Sequence, residues 1–170
     1  MRHQIQAATS ADVAYVANLL EDQDAAADWP EKEPSDRFIE ACAFSTQIWA
    51  ARRVSDGATT ALWGVTPRLD NPEIGYIWML SVASFDEKSR DFSMLCRLVF
   101  AEMLDQFTSL EQHIDSREDR TLDLLRGLGF QIGGPQRQAG SSVLLHHVWL
   151  EADSLAQRGS VSGGRSLLVH

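Results

Sequence analysis

The side chains in this sequence best suited to acid–base or metal chemistry are three histidines in apolar runs, a charged turn and a carboxylate beside a proline. His146 and His147 are adjacent in the run Ser142 to Glu151. If that run is a strand, their side chains point to opposite faces and do not readily share a metal. Neither has an acidic or cysteine neighbour close in sequence, and His113, in Leu110 to Ile114, reads as part of a strand's packing. Asp115, Arg117, Glu118, Asp119 and Arg120 form a charged cluster. It reads as a solvated turn with acidic side chains at a helix N-terminus, where negative charge is favourable. The alternative is a polar surface kept for a partner or substrate. Glu73 follows Pro72 and reads as a solvated loop carboxylate. The segment Ala83 to Arg90 carries Ser84, Asp86, Glu87, Lys88, Ser89 and Arg90, and no glycine. Ser84 or Ser89 would cap the helix that follows without any ligand. There is no P-loop, nucleophile elbow or zinc spacing.

The elements that must position these groups follow from periodicity. Ile5 to Ala8 is a short strand candidate. Thr9 and Ser10 are helix caps, Asp12 adds charge to the first turn, and Val13, Val16, Ala17 and Leu20 recur at helical spacing to about Glu21. Asp22 to Glu33, with Trp29-Pro30, is an acidic loop with a helical start through Ala25 to Ala27. Pro34-Ser35 opens a helix whose inner face holds Phe38, Ile39 and Cys42. Gln47 to Val54 and Thr59 to Thr66 are strands joined by the turn Ser55-Asp56-Gly57. Pro67 to Glu73 is a loop. Ile74 to Val82 is almost wholly apolar and aromatic, which predicts a central strand buried on both faces and paired with the hairpin. Phe92, Leu95, Cys96, Val99, Met103 and Phe107 predict a long amphipathic helix from Arg90 to Phe107. After Leu110 to Ile114 and the charged turn, Leu122, Leu124, Leu125 and Leu128 mark a second amphipathic helix. It ends at Gly129, where a left-handed residue suits a helix terminus. Phe130 would then plug the core. Gln131 to Gln138 reads as a strand broken by Gly133-Gly134-Pro135, and Ser142 to Glu151 as the last strand.

The segment from Leu110 to Phe130 resembles the last conserved segment of the GNAT superfamily, the Gcn5-related N-acetyltransferases. Leu128-Gly129-Phe130 matches its ending, Glu118 stands in its Asn position and Thr121 in its Ala position. Leu125 stands where many members carry the Tyr that protonates the departing coenzyme A sulfur. The order of elements from about Ile5 to Ala152 is also the GNAT order. The resemblance implies a single α/β (α+β) domain over 1–151, with a mixed, mostly antiparallel sheet flanked by helices. It further implies that Ala83 to Arg90 is the pyrophosphate loop of an acyl-CoA enzyme, with Ser84, Lys88, Ser89 and Arg90 as its cofactor-binding candidates and Glu73 as a weak candidate base toward an amine. That loop normally carries glycines that let the backbone approach phosphate. Here it has none and adds two carboxylates, so acetyl-CoA is expected to bind no tighter than roughly millimolar. Within the superfamily, Trp49-Ala50, Leu62 to Val65 and Asp115-Ser116-Arg117 are similar to GNAT-like internal virion or morphogenesis proteins of short-tailed phages.

Two functions are therefore expected. The first is a catalytically degenerate virion or assembly component that acts through protein contacts and holds no cofactor. The second is an acyl-CoA-dependent N-acyltransferase with an atypical loop, using acetyl-CoA. The formal charge of −9 argues against nucleic-acid and anionic-membrane partners. No run of 18 apolar residues and no apolar signal core is present, so the expected setting is a host bacterium's cytoplasm or a virion. Cys42 and Cys96 read as buried free thiols. The Gly/Ser-containing tail, 152–170, has one apolar cluster, Leu167-Leu168-Val169. That cluster cannot offset an ordering cost of about 1–2 kcal/mol per residue. It is expected to dock on another protein or a second copy of the chain.

Overall fold

The computed structural model describes residues 2–24, 34–82 and 90–154. Its elements are β1 (His3–Ala7), α1 (Ser10–Asp24), α2 (Pro34–Phe44), β2 (Gln47–Arg53), β3 (Thr59–Pro67), β4 (Ile74–Ser81), α3 (Arg90–Leu104), β5 (Ser109–Asp115), α4 (Asp119–Leu128), β6 (Gln131–Arg137) and β7 (Leu144–Glu151). The strands form one seven-stranded sheet in the order β1-β2-β3-β4-β5-β7-β6. Every neighbouring pair is antiparallel except β4 and β5. The α/β class, the hairpin and the pairing of β4 with β3 are as the sequence predicts.

Each face of the sheet has its own core. On one face α3 and α4 cover Trp49, Ala51, Trp63, Val65, Ile77, Leu110, Val148 and Leu150. The Trp49 indole N–H donates to Glu102 of α3 at 2.6 Å, which fixes that helix against β2. Val16 of α1 and Phe38 of α2 pack on the other face over Ala50 and Leu62, with Trp78 and Leu80 at the margin. Alternation along β2, β3 and β4 sorts these sets. Gly64 pairs with Trp78 across β3 and β4, and the absent side chain leaves room for the indole.

The helix ends obey local chemistry. At the start of α1 the Asp12 carboxylate accepts from the Thr9 N–H at 2.7 Å, and Thr9 Oγ1 accepts from the Asp12 N–H at 3.3 Å. This is a reciprocal capping box. Asp12 is only 3% exposed because it also receives Arg52 of β2 and Thr59 of β3. α4 ends as expected at Gly129, whose φ of 103° is left-handed, with its N–H bonded to Arg126 O. Phe130 then enters the core edge-on to Phe100 at 5.4 Å.

Several expectations are corrected. α1 runs on to Asp24 and α3 stops at Leu104, although Phe107 is still buried beyond its end. Gln131–Arg137 is one continuous strand, because the register with β7 shifts between Ile132 and Pro135 and absorbs the glycines as a bulge. Pro135 is tolerated there because β6 is an edge strand. In β4 only Gly75 and Ile77 are fully buried; the other residues are half-buried. The reason is the pairing with β5, which covers Ile74, Gly75 and Tyr76 alone. Past Tyr76, β4 has no strand partner on this flank among the described residues. Among the described residues, no helix is long and apolar enough to cross a membrane.

Candidate functional site

The divergence of β4 from β5 makes the first feature of the site. Beyond the pair Tyr76–Glu111 no β5 residue is in register with β4. The gap is a cleft of about 300 Å³. Ile77, Met79, Phe92, Ile114, Leu124 and Leu125 supply its apolar wall, and Ser81, Gln112, His113, Glu118 and Thr121 its polar groups. Gln112 crosses the gap, its amide donating to Ile77 O. Among the described residues, the remaining main-chain groups on this flank of β4 have no strand partner, which suits an extended ligand that hydrogen-bonds like a strand.

The second feature lies on the face that carries α1 and α2. Alternation puts Glu111 and His113 of β5 on that face, as it does His147 and Trp149 of β7. The β5–β7 register sets His113 opposite His147 and Glu111 opposite Trp149. Four rings stack across three strands: Tyr76 on His113 at 5.9 Å, His113 on His147 at 5.1 Å, and His147 on Trp149 at 5.0 Å. Tyr76 Oη and His113 Nδ1 are hydrogen-bonded at 2.8 Å. A second cavity of about 340 Å³ opens here, lined by Tyr76, His113, His147, Leu145 and Gln136 to Gln138. His113 lines both cavities.

Charge is concentrated beneath the rings. Glu111 is 8% exposed and is met by Arg68 Nη1 at 3.0 Å and His147 Nε2 at 3.4 Å. Asp70 holds the other side of the Arg68 guanidinium. Burial, and then the neighbouring His147, push the His113 imidazole below its ordinary value, while Glu111 pulls the other way. At neutral pH His113 is therefore a free base. Burial and then Glu111 raise the Tyr76 phenol, so it stays protonated.

No protein-family model matches the chain, and no curated protein sequence does. Solved structures do match it. A GCN5-related N-acetyltransferase from Kribbella flavida superposes with a TM-score of 0.65 at 15% identity, over 88% of this chain and 98% of the other. The ribosomal-protein-S5-alanine acetyltransferase from Vibrio fischeri gives 0.67 at 11% identity, over 90% and 94%. Spermidine N-acetyltransferase from Vibrio cholerae, solved with CoA and spermine, gives 0.62 at 10% identity, over 91% and 98%. The chain has the GNAT fold. The finer resemblance to phage virion proteins finds no counterpart in these three.

Within this GNAT fold the residues aligned by the sequence motif come together. Glu118, Thr121 and Leu125 lie on one side of α4 and all line the β4/β5 cleft. Leu125 is 1% exposed and supplies an apolar wall. The N-terminus of α4 differs from expectation, since Glu118 makes no side-chain capping bond. Asp115 instead turns back to the Arg117 side chain and N–H, and that guanidinium lowers its carboxyl to about 2. Arg90 is exposed at the first turn of α3. Ser84, Lys88 and Ser89 lie outside the described residues, as do Leu167, Leu168, Val169 and the Trp29-Pro30 loop. Glu73 is exposed in the turn before β4, where its carbonyl accepts from Thr108 at 2.9 Å. That is the paired end of β4, and Glu73 lines neither cavity.

The histidines are where the sequence reading falls short. His147 does have an acidic neighbour, Glu111, but it reaches it across the β5–β7 ladder. His113 packs in the strand's ring stack, between Tyr76 and His147, but keeps an exposed edge and hydrogen-bonds Tyr76. His146, on the opposite face, hydrogen-bonds the bulge carbonyl of Gly133 at 2.7 Å. Alternation alone would have put Glu111 beside His113 and His147 beside Trp149; the strand register was the missing signal. Cys42 and Cys96 are free thiols, Cys96 buried and Cys42 half-buried. Among the described residues no three metal-ligating side chains are grouped to hold an ion.

Proposed function

We propose that this chain is an acyl-CoA-dependent N-acyltransferase whose acyl donor lies in the β4/β5 cleft and whose amine acceptor approaches from the ring-lined cavity. The observation that carries this reading is His113, which lines both spaces and is a free base at neutral pH. The cleft fits such a donor. An apolar wall suits a methylene chain, and the unpaired flank of β4 suits amide groups along it. The donor supplies an activated thioester; the remaining work falls to the protein.

An amine is protonated in water at neutral pH and must lose that proton to attack. His113 would accept it at Nε2, in the tautomer whose Nδ1–H donates to Tyr76 Oη across their 2.8 Å contact. With the donor bound, the attacking nitrogen would form a C–N bond to the acyl carbon as the C–S bond breaks, the sulfur would leave with the electron pair, and the second proton lost by the nitrogen would pass through solvent or a hydroxyl to the thiolate. Thr121 is the hydroxyl donor among the α4 residues at the cleft; Leu125 offers none. Arg90, exposed at the first turn of α3, would meet the phosphate end of the donor.

A second reading is supported by two observations, the glycine-free segment Ala83 to Arg90 and the apolar Leu125. On that reading the chain keeps the fold and acts through protein contacts as an assembly component, with the tail as its docking segment. Isothermal titration with acetyl-CoA and a thiol-release assay over a panel of amines separate the two. Micromolar affinity, with turnover that falls by about 10²–10⁴ in His113→Gln, supports the enzyme. Affinity weaker than about 1 mM, near −4 kcal/mol, with no thiol release, sinks it and leaves the second reading.

A further inference from the structure

Glu111 is anomalous for its place. It sits mid-strand in the interior of a sheet, 8% exposed, where an aliphatic side chain would pack. A desolvated carboxylate is costly unless well paired, and replacing such a pair by apolar groups often costs nothing in stability. Its partners all bear on one place. Asp70 bonds Arg68, Arg68 bonds Glu111, and Glu111 faces His147 Nε2. The His147 ring then lies against His113 with planes 30° apart. Facing His113 are Tyr76 from β4, His147 from β7, Glu111 of its own strand and Arg68 from the turn after β3, while Arg137 of β6 lines the same cavity and Glu118 before α4 the same cleft.

We infer that Glu111 and Arg68 are positioning residues that act together, through space and through His147, to set the proton affinity of His113. The Glu111 carboxylate lies 3.4 Å from His147 Nε2, and the His147 ring in turn stacks on His113. The negative charge of Glu111 favours a proton on His113, and the Arg68 guanidinium offsets that charge. The two residues therefore pull in opposite directions, an arrangement that tunes an affinity instead of merely raising it. The inference rests on the proposed reaction for its purpose, since His113 is the base there, but its test does not require turnover.

The test is an NMR titration of the imidazole Cε1–H signals in the full chain, for the parent, Glu111→Gln, Arg68→Met and the double variant. Glu111→Gln keeps the shape and removes the charge, so His113 should titrate lower by roughly half a unit or more. Arg68→Met should move it upward by a similar amount, and the double variant should fall between the two. Unmoved His113 titration in both single variants, or movement in the same direction, overturns the inference. If Glu111→Gln does not fold, Arg68→Met decides alone: an upward shift supports the inference, and no shift or a downward one overturns it. In an active enzyme the acid limb of the pH–rate profile should follow these shifts. Imidazole shifts as expected with no acyl transfer in any variant would defeat the proposed reaction and leave this inference standing.

Discussion

Replacing Gly64 by alanine should destabilise the fold through one identifiable collision. A Cβ built on Gly64 would lie 2.2–2.4 Å from three atoms of the Trp78 indole. Ordinary contact requires about 3.5–4.0 Å, so the ring would have to retreat by more than an ångström. It is not free to do so. Its N–H donates to Ser45 Oγ at 2.8 Å, and its ring meets Phe38 edge-on at 5.7 Å. Overpacking of this kind costs about 1–3 kcal/mol, and a lost hydrogen bond about 1 kcal/mol more. Removing glycine's freedom in the unfolded chain gives back about 0.4–1 kcal/mol. The collision wins, by about 2–3 kcal/mol. Urea unfolding followed by circular dichroism would measure this, and a thermal scan should show a Tm lower by roughly 5–10 °C for a chain of this size. Trp78→Leu opens the space, so Gly64→Ala/Trp78→Leu should lose less than the two single changes summed, with a coupling of about 1 kcal/mol or more. A Gly64→Ala variant within 0.5 kcal/mol of the parent, or a strictly additive double variant, would refute the reasoning about this pair (on the order of the usual additivity error).

Asp12 and Cys42 give two more expectations. Burial alone would raise the Asp12 carboxyl, but bonds from Arg52, Thr59 and Thr9 hold it well below the usual carboxylate range. Its stabilising contribution should thus be complete above the unfolded value near about 4 and be lost progressively as pH falls below it. Asp12→Ala should cost roughly 2–4 kcal/mol at pH 7 and much less near pH 2, and equal losses at both pH values in urea unfolding would contradict this. Burial pushes the Cys42 thiol up to about 11, so native-state iodoacetamide labelling at pH 8 should be about a hundredfold slower than for an ordinary thiol. Labelling at the ordinary rate would show that the α2 face opens readily.

What the sequence discloses and what it hides divide by range. The helix stop at Gly129, the hairpin turn with Gly57 at a φ of 72° and the amphipathic face of α3 are local, written in residue types a few positions apart. The mixed sheet follows from the order of such elements. The Tyr76, Glu111, His113 and His147 cluster is different. Its members come from three strands, and only the register of β5 on β7 makes them neighbours. Each taken alone has an ordinary explanation as a solvated or packed residue. The half-burial of β4 was hidden for the same reason, since an apolar run does not disclose that its neighbour parts from it beyond Tyr76.

The cleft and the cluster carry different weight for function. The cleft follows from topology. A parallel pair in an otherwise antiparallel sheet diverges after three residue pairs, and any chain of this fold that does so has a gap there, active or not. It cannot separate an enzyme from a protein that acts through contacts. The enzyme reading rests instead on the cluster, because stability does not require it. An aliphatic residue at Glu111 would avoid the desolvation cost, and Arg68 would then need no buried partner. What the fold holds instead is a free-base imidazole at the junction of two cavities, bonded to a protonated phenol and backed by a balanced pair of opposite charges. On the proposed reaction, proton transfer at His113 would give that arrangement a purpose. Leu125 gives the cleft no donor; on the proposed reaction that would leave the acceptor side, where an amine would lose its proton, intact.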